Sequence, residues 1–152
     1  NTILFDVPGI RLPTPEGVSE EIQWEDMIHF LDTLYYADVI VTTQSTVSID
    51  GSAFNKPVIN ISFDGWEKRP FYSRLSVPVL HMYAHYHQIL KSGGVKLVQN
   101  PKELILAIQA YLRDPSLEYE GRQRLLKEQS WKFDGHAGER IAQYVLEVLD
   151  RK

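Results

Sequence analysis

The stretch from Ala37 to Ile61 constrains this chain most. Asp38-Val39-Ile40-Val41-Thr42 is a β-branched run with no polar–apolar alternation. A strand of that kind is covered on both faces, as in a parallel sheet flanked by helices. The small polar turn Thr43-Gln44-Ser45-Thr46 follows, then a helical stretch through Phe54, then a second apolar strand, Lys56-Pro57-Val58-Ile59-Asn60-Ile61. Two strands joined through a helix point to α/β architecture with parallel pairing.

The alternation extends in both directions. Ile3-Leu4-Phe5-Asp6-Val7 reads as a strand ended by Pro8-Gly9, and residues 11–20, with Pro13, Pro15 and Gly17, read as loop. Ile22, Met27, Ile28, Leu31, Leu34 and Tyr35 recur at helical spacing between Glu21 and Tyr36. Downstream, the pattern predicts a strand at Val77–Leu80, a helix at Tyr83–Lys91 stopped by Gly93-Gly94, and a strand at Val95–Val98. Helices follow from Pro101 to about Leu112, over 116–130, and over Gly138–Leu149 with Ile141, Ala142, Val145, Leu146 and Leu149 facing inward. The expectation is one Rossmann-like domain over residues 1–152: an α/β sandwich with a parallel sheet of about five strands and helices on both faces. Trp24 and Trp131 are expected to anchor helices, Tyr35 and Tyr36 to sit at the core's edge. Arg122, Arg124, Lys127 and Lys132, among Glu118, Glu120 and Glu128, are expected to form a solvated face.

Composition narrows the function classes. Lys plus Arg number 16 against 20 Asp plus Glu, a net charge of −4, which argues against a general nucleic-acid surface. The 43% hydrophobic and 24% charged content excludes wholesale disorder. The absence of cysteine removes disulfides, thiolate metal sites and Cys nucleophiles. No apolar run approaches the roughly 20 residues a membrane-spanning helix needs. The chain starts in apolar residues without an initiator Met, and reads as a piece of a longer protein.

Chemistry is expected where the first buried strand meets its helix. In open α/β sheets ligands bind beyond the carboxyl ends of strands, and anions are stabilised where a helix presents free N–H groups. Ser45 and Thr46 suit a phosphate there, and Asp50, about a turn further, suits a ribose diol. The same residues also suit plain helix capping and first-turn stabilisation. Arg69 and Arg74, in the irregular stretch 63–76, are further phosphate candidates, because the guanidinium fork bonds oxyanions in pairs. Asp64, Trp66 and Tyr72 in that stretch could frame a sugar or base. His81, expected at a strand's carboxyl end, is the one candidate acid, base or phosphate ligand, and the catalytic residues are otherwise undefined. His81, His85 and His87 have no carboxylate among or shortly after them, so no metal site is expected. His29 and His136 read as structural.

A resemblance sharpens this. Ala37–Thr46, then Ile49-Asp50-Gly51, then Asn55-Lys56-Pro57-Val58-Ile59 resembles the C-terminal, donor-binding half of GT-B glycosyltransferases. It is similar also to the CDP-glycerol glycerophosphotransferases and the UDP-N-acetylglucosamine 2-epimerases. Gly94–Val98, Asn100–Leu104, Leu112-Arg113-Asp114-Pro115, Arg122, Asp134-Gly135 and Arg140-Ile141-Ala142 resemble that domain's closing strand and helices. The resemblance implies a nucleoside-diphosphate sugar or CDP-glycerol as donor substrate, with no separate cofactor. It implies Ser45 and Thr46 on the donor's pyrophosphate and Asp50 on the ribose. It also implies an acceptor-binding N-terminal half as partner, a cytoplasmic setting (at the membrane's inner face through the parent protein), and no activity from this half alone. A sugar-nucleotide epimerase and a non-catalytic binding or assembly domain are the alternatives. Thr46-Val47 stand where the family often has Gly-Gly, and Thr42 where many retaining members carry a further acid.

Overall fold

The computed structural model describes residues 2–7, 9–15, 17–65, 76–81 and 83–151, with the backbone only at 18, 80 and 85. Its elements run β1 (Ile10–Thr14), β2 (Gly17–Glu21), α1 (Trp24–Tyr36), β3 (Ile40–Thr42), α2 (Val47–Ala53), β4 (Val58–Ile61), α3 (Val77–Leu80), α4 (Ala84–Lys91), β5 (Lys96–Val98), α5 (Pro101–Arg113), α6 (Tyr119–Ser130) and α7 (Ala137–Asp150). Strands β3, β4 and β5 form a parallel sheet in that order, with Ile40 beside Val58 and Ile59 beside Lys96. Strands β1 and β2 form a separate antiparallel hairpin.

The register explains why β4 tolerates no polar–apolar alternation. Successive side chains of a strand point to opposite faces. Val58 joins Leu34 of α1, Ile40 of β3, Tyr86 and Ile89 of α4 and Leu125 of α6 in one core. Ile59 joins Val98 of β5 and Ala107 and Tyr111 of α5 in a second. The protein is therefore a mixed α/β fold with helices on both faces of a parallel sheet. Helix α5 starts where its local chemistry says it should: Asn100 Oδ1 accepts from Glu103 N–H at 3.0 Å, Glu103 Oε2 accepts from Gln99 N–H at 2.8 Å, and Pro101 occupies the first turn.

Several expectations are corrected. Of the expected parallel sheet of about five strands, three stand among the described residues. Val77–Leu80 is a helical turn rather than a strand: Pro78 sits in its first turn, and the Asp64 carboxylate accepts from the Val77 N–H at 2.9 Å. Ile3–Val7 pairs with no strand among the described residues, and its apolar side chains are exposed. The stretch taken as loop contains the β1–β2 hairpin, with Pro13 opposite Val18; a two-stranded ribbon has a free side on each strand, where a missing N–H costs nothing. Trp24 and Trp131 are 73% and 70% exposed and do not belong to the core, whereas Tyr35, though exposed, lies edge-on at 5.9 Å to Phe54 at the core's edge, with Tyr36 edge-on to it at 5.1 Å. Arg122 is wholly buried rather than solvated, with Nε on Asn55 Oδ1 at 3.0 Å, Nη1 on Leu117 O at 2.5 Å and Nη2 on Pro115 O at 2.9 Å. Helix α7 turns no side chain inward: none of its residues is buried.

Candidate functional site

The turn between β3 and α2 stands at the carboxyl end of the sheet and closes partly on itself. Ser45 Oγ accepts from the Val47 N–H at 3.2 Å, and Ser45 O accepts from the Ser48 N–H at 3.2 Å. Thr46 is the N-cap by position, with its carbonyl accepting from Ile49 and Asp50 at 2.8 and 3.2 Å. Its hydroxyl makes no capping bond, and the residue is exposed. The side-chain cap is therefore made by Ser45. A hydroxyl that accepts one bond keeps its proton to donate, so Ser45 retains a donor, and the Thr46 hydroxyl has no hydrogen-bond partner among the described residues.

Beneath the turn lies a buried polar ring that the sequence reading did not find. Asn60 Nδ2 donates to Ser48 Oγ at 3.2 Å, Ser48 Oγ lies 3.1 Å from the Tyr86 hydroxyl, and that hydroxyl donates to Asn60 Oδ1. Proton directions are mutually consistent if Ser48 donates to Tyr86, which closes the ring with each group satisfied. The Tyr86 hydroxyl also approaches Thr43 O at 3.2 Å, tying α4 to the end of β3. Burial pushes the Tyr86 hydroxyl pKa upward, partly offset by its bonds to Ser48, Ser45 and Asn60. The available signal was Asn60, a lone amide in an otherwise apolar strand, which demands a buried partner.

Asp50 stands one helical turn beyond Thr46. Gly51, its neighbour, faces the sheet so closely that a Cβ there would meet Ile40 Cδ1 at 2.7 Å and Val58 Cγ2 at 3.0 Å. Ser48 and Ser52 are buried on that same side. At about 100° per residue, Asp50 therefore lies on the opposite flank, which it shares with Thr46 at i−4. The Asp50 carboxyl is half-buried and has no hydrogen-bonding or charged partner among the described residues. Desolvation alone raises its pKa above the ordinary 3.8.

The other candidates fall differently. Arg69 and Arg74, with Trp66 and Tyr72, lie outside the described residues. Asp64 is committed to capping α3. His81 follows a helical turn instead of a strand and is 5% exposed; its Nδ1 lies 2.8 Å from Val77 O, and its ring meets that of Tyr86 edge-on at 5.2 Å. Its Nε2 is buried without a hydrogen-bond partner among the described residues. It thus packs behind the turn, next to the polar ring, and presents no ring nitrogen to solvent. Among the described residues no three His, Asp or Glu side chains converge as a metal-binding group, and no helix is long and apolar enough to cross a membrane. What the arrangement offers is an exposed Thr46 hydroxyl, a Ser45 hydroxyl with its proton left to donate, and, one turn into α2, the Asp50 carboxylate with no partner among the described residues. Comparison with family models, with curated proteins and with solved structures gave no match.

Proposed function

We propose that this chain is the donor-binding half of a nucleotide-sugar-dependent glycosyltransferase, or glycerophosphotransferase, of the GT-B kind, serving surface polysaccharide synthesis in the cytoplasm. What supports this reading is the shared flank of Thr46 and Asp50 at the carboxyl end of β3: an exposed hydroxyl that makes no capping bond and, one turn on, a half-buried carboxylate with no partner among the described residues. Among the described residues nothing pairs with either group. A nucleoside diphosphate accounts for both, with Ser45 and Thr46 donating to the diphosphate and the Asp50 carboxylate accepting from the two ribose hydroxyls. Arg69 and Arg74 are assigned to the same diphosphate. Donors held in place on a departing diphosphate stabilise the charge that develops there. In this reading the sheet belongs to a Rossmann-like domain of about five strands, and an acceptor-binding half completes the enzyme.

The test is calorimetric titration with UDP, CDP, their sugars and CDP-glycerol. Weak binding is expected, and Asp50→Ala should reduce it at least tenfold, the order of a lost charged hydrogen bond of roughly 1.5–3 kcal/mol. Unchanged affinity in Asp50→Ala removes the ribose assignment. A second reading, a non-catalytic assembly domain of the same fold, is favoured by the Ser45 Oγ bond to Val47 N–H, which spends part of the turn's polarity internally. A flat thermal-shift response to every nucleoside diphosphate would select it.

A further inference from the structure

Helix α7 carries an apolar strip that the fold leaves bare. Ile141, Tyr144, Val145, Leu146, Val148 and Leu149 are each between 40% and 66% exposed. At helical spacing they cover roughly 200° of the circumference, centred on Val145. No other described element makes more than glancing contact with α7, although its hydrophobic periodicity is that of a core helix. Trp131, with the Arg140 guanidinium 5.4 Å from its ring centre, prolongs the strip beyond the helix start.

We infer that this strip is a self-association surface and that its occupant is the same strip on a second copy of the chain. The area fits. Half-exposed side chains of this size, with Trp131, present on the order of 700 Å² per copy, above the largest apolar patch of a typical monomer. Two copies present about 1,400 Å² of such surface, and a contact that covers most of it meets the roughly 1,000 Å² a specific interface needs. A continuous apolar strip of this kind can meet its own copy about a two-fold axis, the commonest oligomer symmetry. The charges around the strip argue against a lipid surface: Glu139, Glu147 and Asp150 balance Lys132, Arg140 and Arg151, whereas helices that lie on anionic membranes carry an excess of Lys and Arg there.

The chain contains no cysteine, so a single introduced thiol reports the contact. Val145→Cys should form a disulfide-linked dimer under mild oxidation, while Gln143→Cys, on the polar flank, should remain monomeric. Sedimentation equilibrium of the unmodified chain should show a concentration-dependent species of twice its 17.5 kDa. Val145→Glu should weaken that association at least a hundredfold with an unchanged far-UV circular dichroism spectrum. A monomer at all concentrations overturns the inference, as does a dimer that survives Val145→Glu, or a monomer that instead binds vesicles of anionic phospholipid.

Discussion

Gly121→Ala sets two effects of opposite sign against each other. Gly121 lies in the first turns of α6, and replacing a helical Gly with Ala ordinarily gains about 1 kcal/mol. Here a Cβ would meet Gly93 O at 2.0 Å, Gly93 C at 2.2 Å and Gly94 N at 2.5 Å. All three are backbone atoms of the turn that ends α4, and no flexible side chain is there to swing away. Restoring ordinary contact near 3.4 Å means parting α6 from that turn by about 1.4 Å. Such a shift disrupts the burial of Leu125 and Arg122 on the same helix. Overpacking costs about 1–3 kcal/mol where side chains can adjust, and a rigid backbone clash belongs at or above the top of that range. The net loss is then at least about 2 kcal/mol, a fall of roughly 4–8 °C in melting temperature for a chain of this size. Gly138→Ala in α7 is the internal control, because a Cβ there meets nothing within 4 Å; it should be neutral or stabilising by up to about 1 kcal/mol. Thermal and urea unfolding of both variants checks the pair. If Gly121→Ala melts at or above the parent temperature, α6 does not abut the Gly93-Gly94 turn and the packing argument fails.

Tyr86→Phe should lower stability by about 1–3 kcal/mol in urea titration, because it strands the Asn60 carbonyl oxygen in the core without its donor. Arg122→Met should cost roughly 2–4 kcal/mol, leaving acceptors on Asn55, Pro115 and Leu117 unmet; Arg122→Lys should rescue little, since an ammonium cannot span three divergent acceptors. Asp50→Asn should raise the melting temperature at neutral pH. The folded-state pKa of Asp50 lies above the unfolded value near 3.8, so the folded protein holds this proton more tightly and ionisation there costs stability. That cost is fully present above the raised pKa and disappears as pH falls below the unfolded one. A melting series from pH 7 down to pH 3 should show the two proteins converge; a gap that persists at pH 3 refutes the desolvation account.

What was legible in the sequence was local. The apolar run before Thr42, the Asn100-Pro101 helix start and the Gly93-Gly94 stop each rest on neighbours a few residues away, and each appears within a residue or two of its expected place. What was not legible depends on distant partners. Val77–Leu80 looks like a strand until Asp64 supplies the acceptor that starts a helical turn. Arg122 looks like a surface charge until Asn55, more than sixty residues earlier, and the carbonyls before α6 enclose it. The periodicity of α7 showed which of its faces is apolar; it carried no information about what covers that face. The turn at Ser45 and Thr46 was found because a strand-to-helix junction is a local pattern, whereas the polar ring that holds it joins Ser48, Asn60 and Tyr86 across three elements.

That ring bears directly on the candidate site. A hydrogen-bonded cycle of buried groups is satisfied in only one arrangement of its members, since displacing any of them strands the other two away from water. Ser48 belongs to α2, Asn60 to β4 and Tyr86 to α4, so the cycle fixes the start of α2 relative to the sheet, and the Tyr86 approach to Thr43 O extends the constraint to the end of β3. Asp50 lies two residues beyond Ser48 on the same short helix. Its carboxylate therefore cannot relax its desolvation cost by moving α2 into solvent without breaking the ring. A charge kept half-buried and uncompensated by a scaffold that holds it there is a cost to folding, and such costs persist at positions where a ligand relieves them. Under the proposed function, binding and stability at Asp50 should accordingly run in opposite directions: the substitution that raises the melting temperature of the free protein should be the one that weakens nucleoside-diphosphate binding.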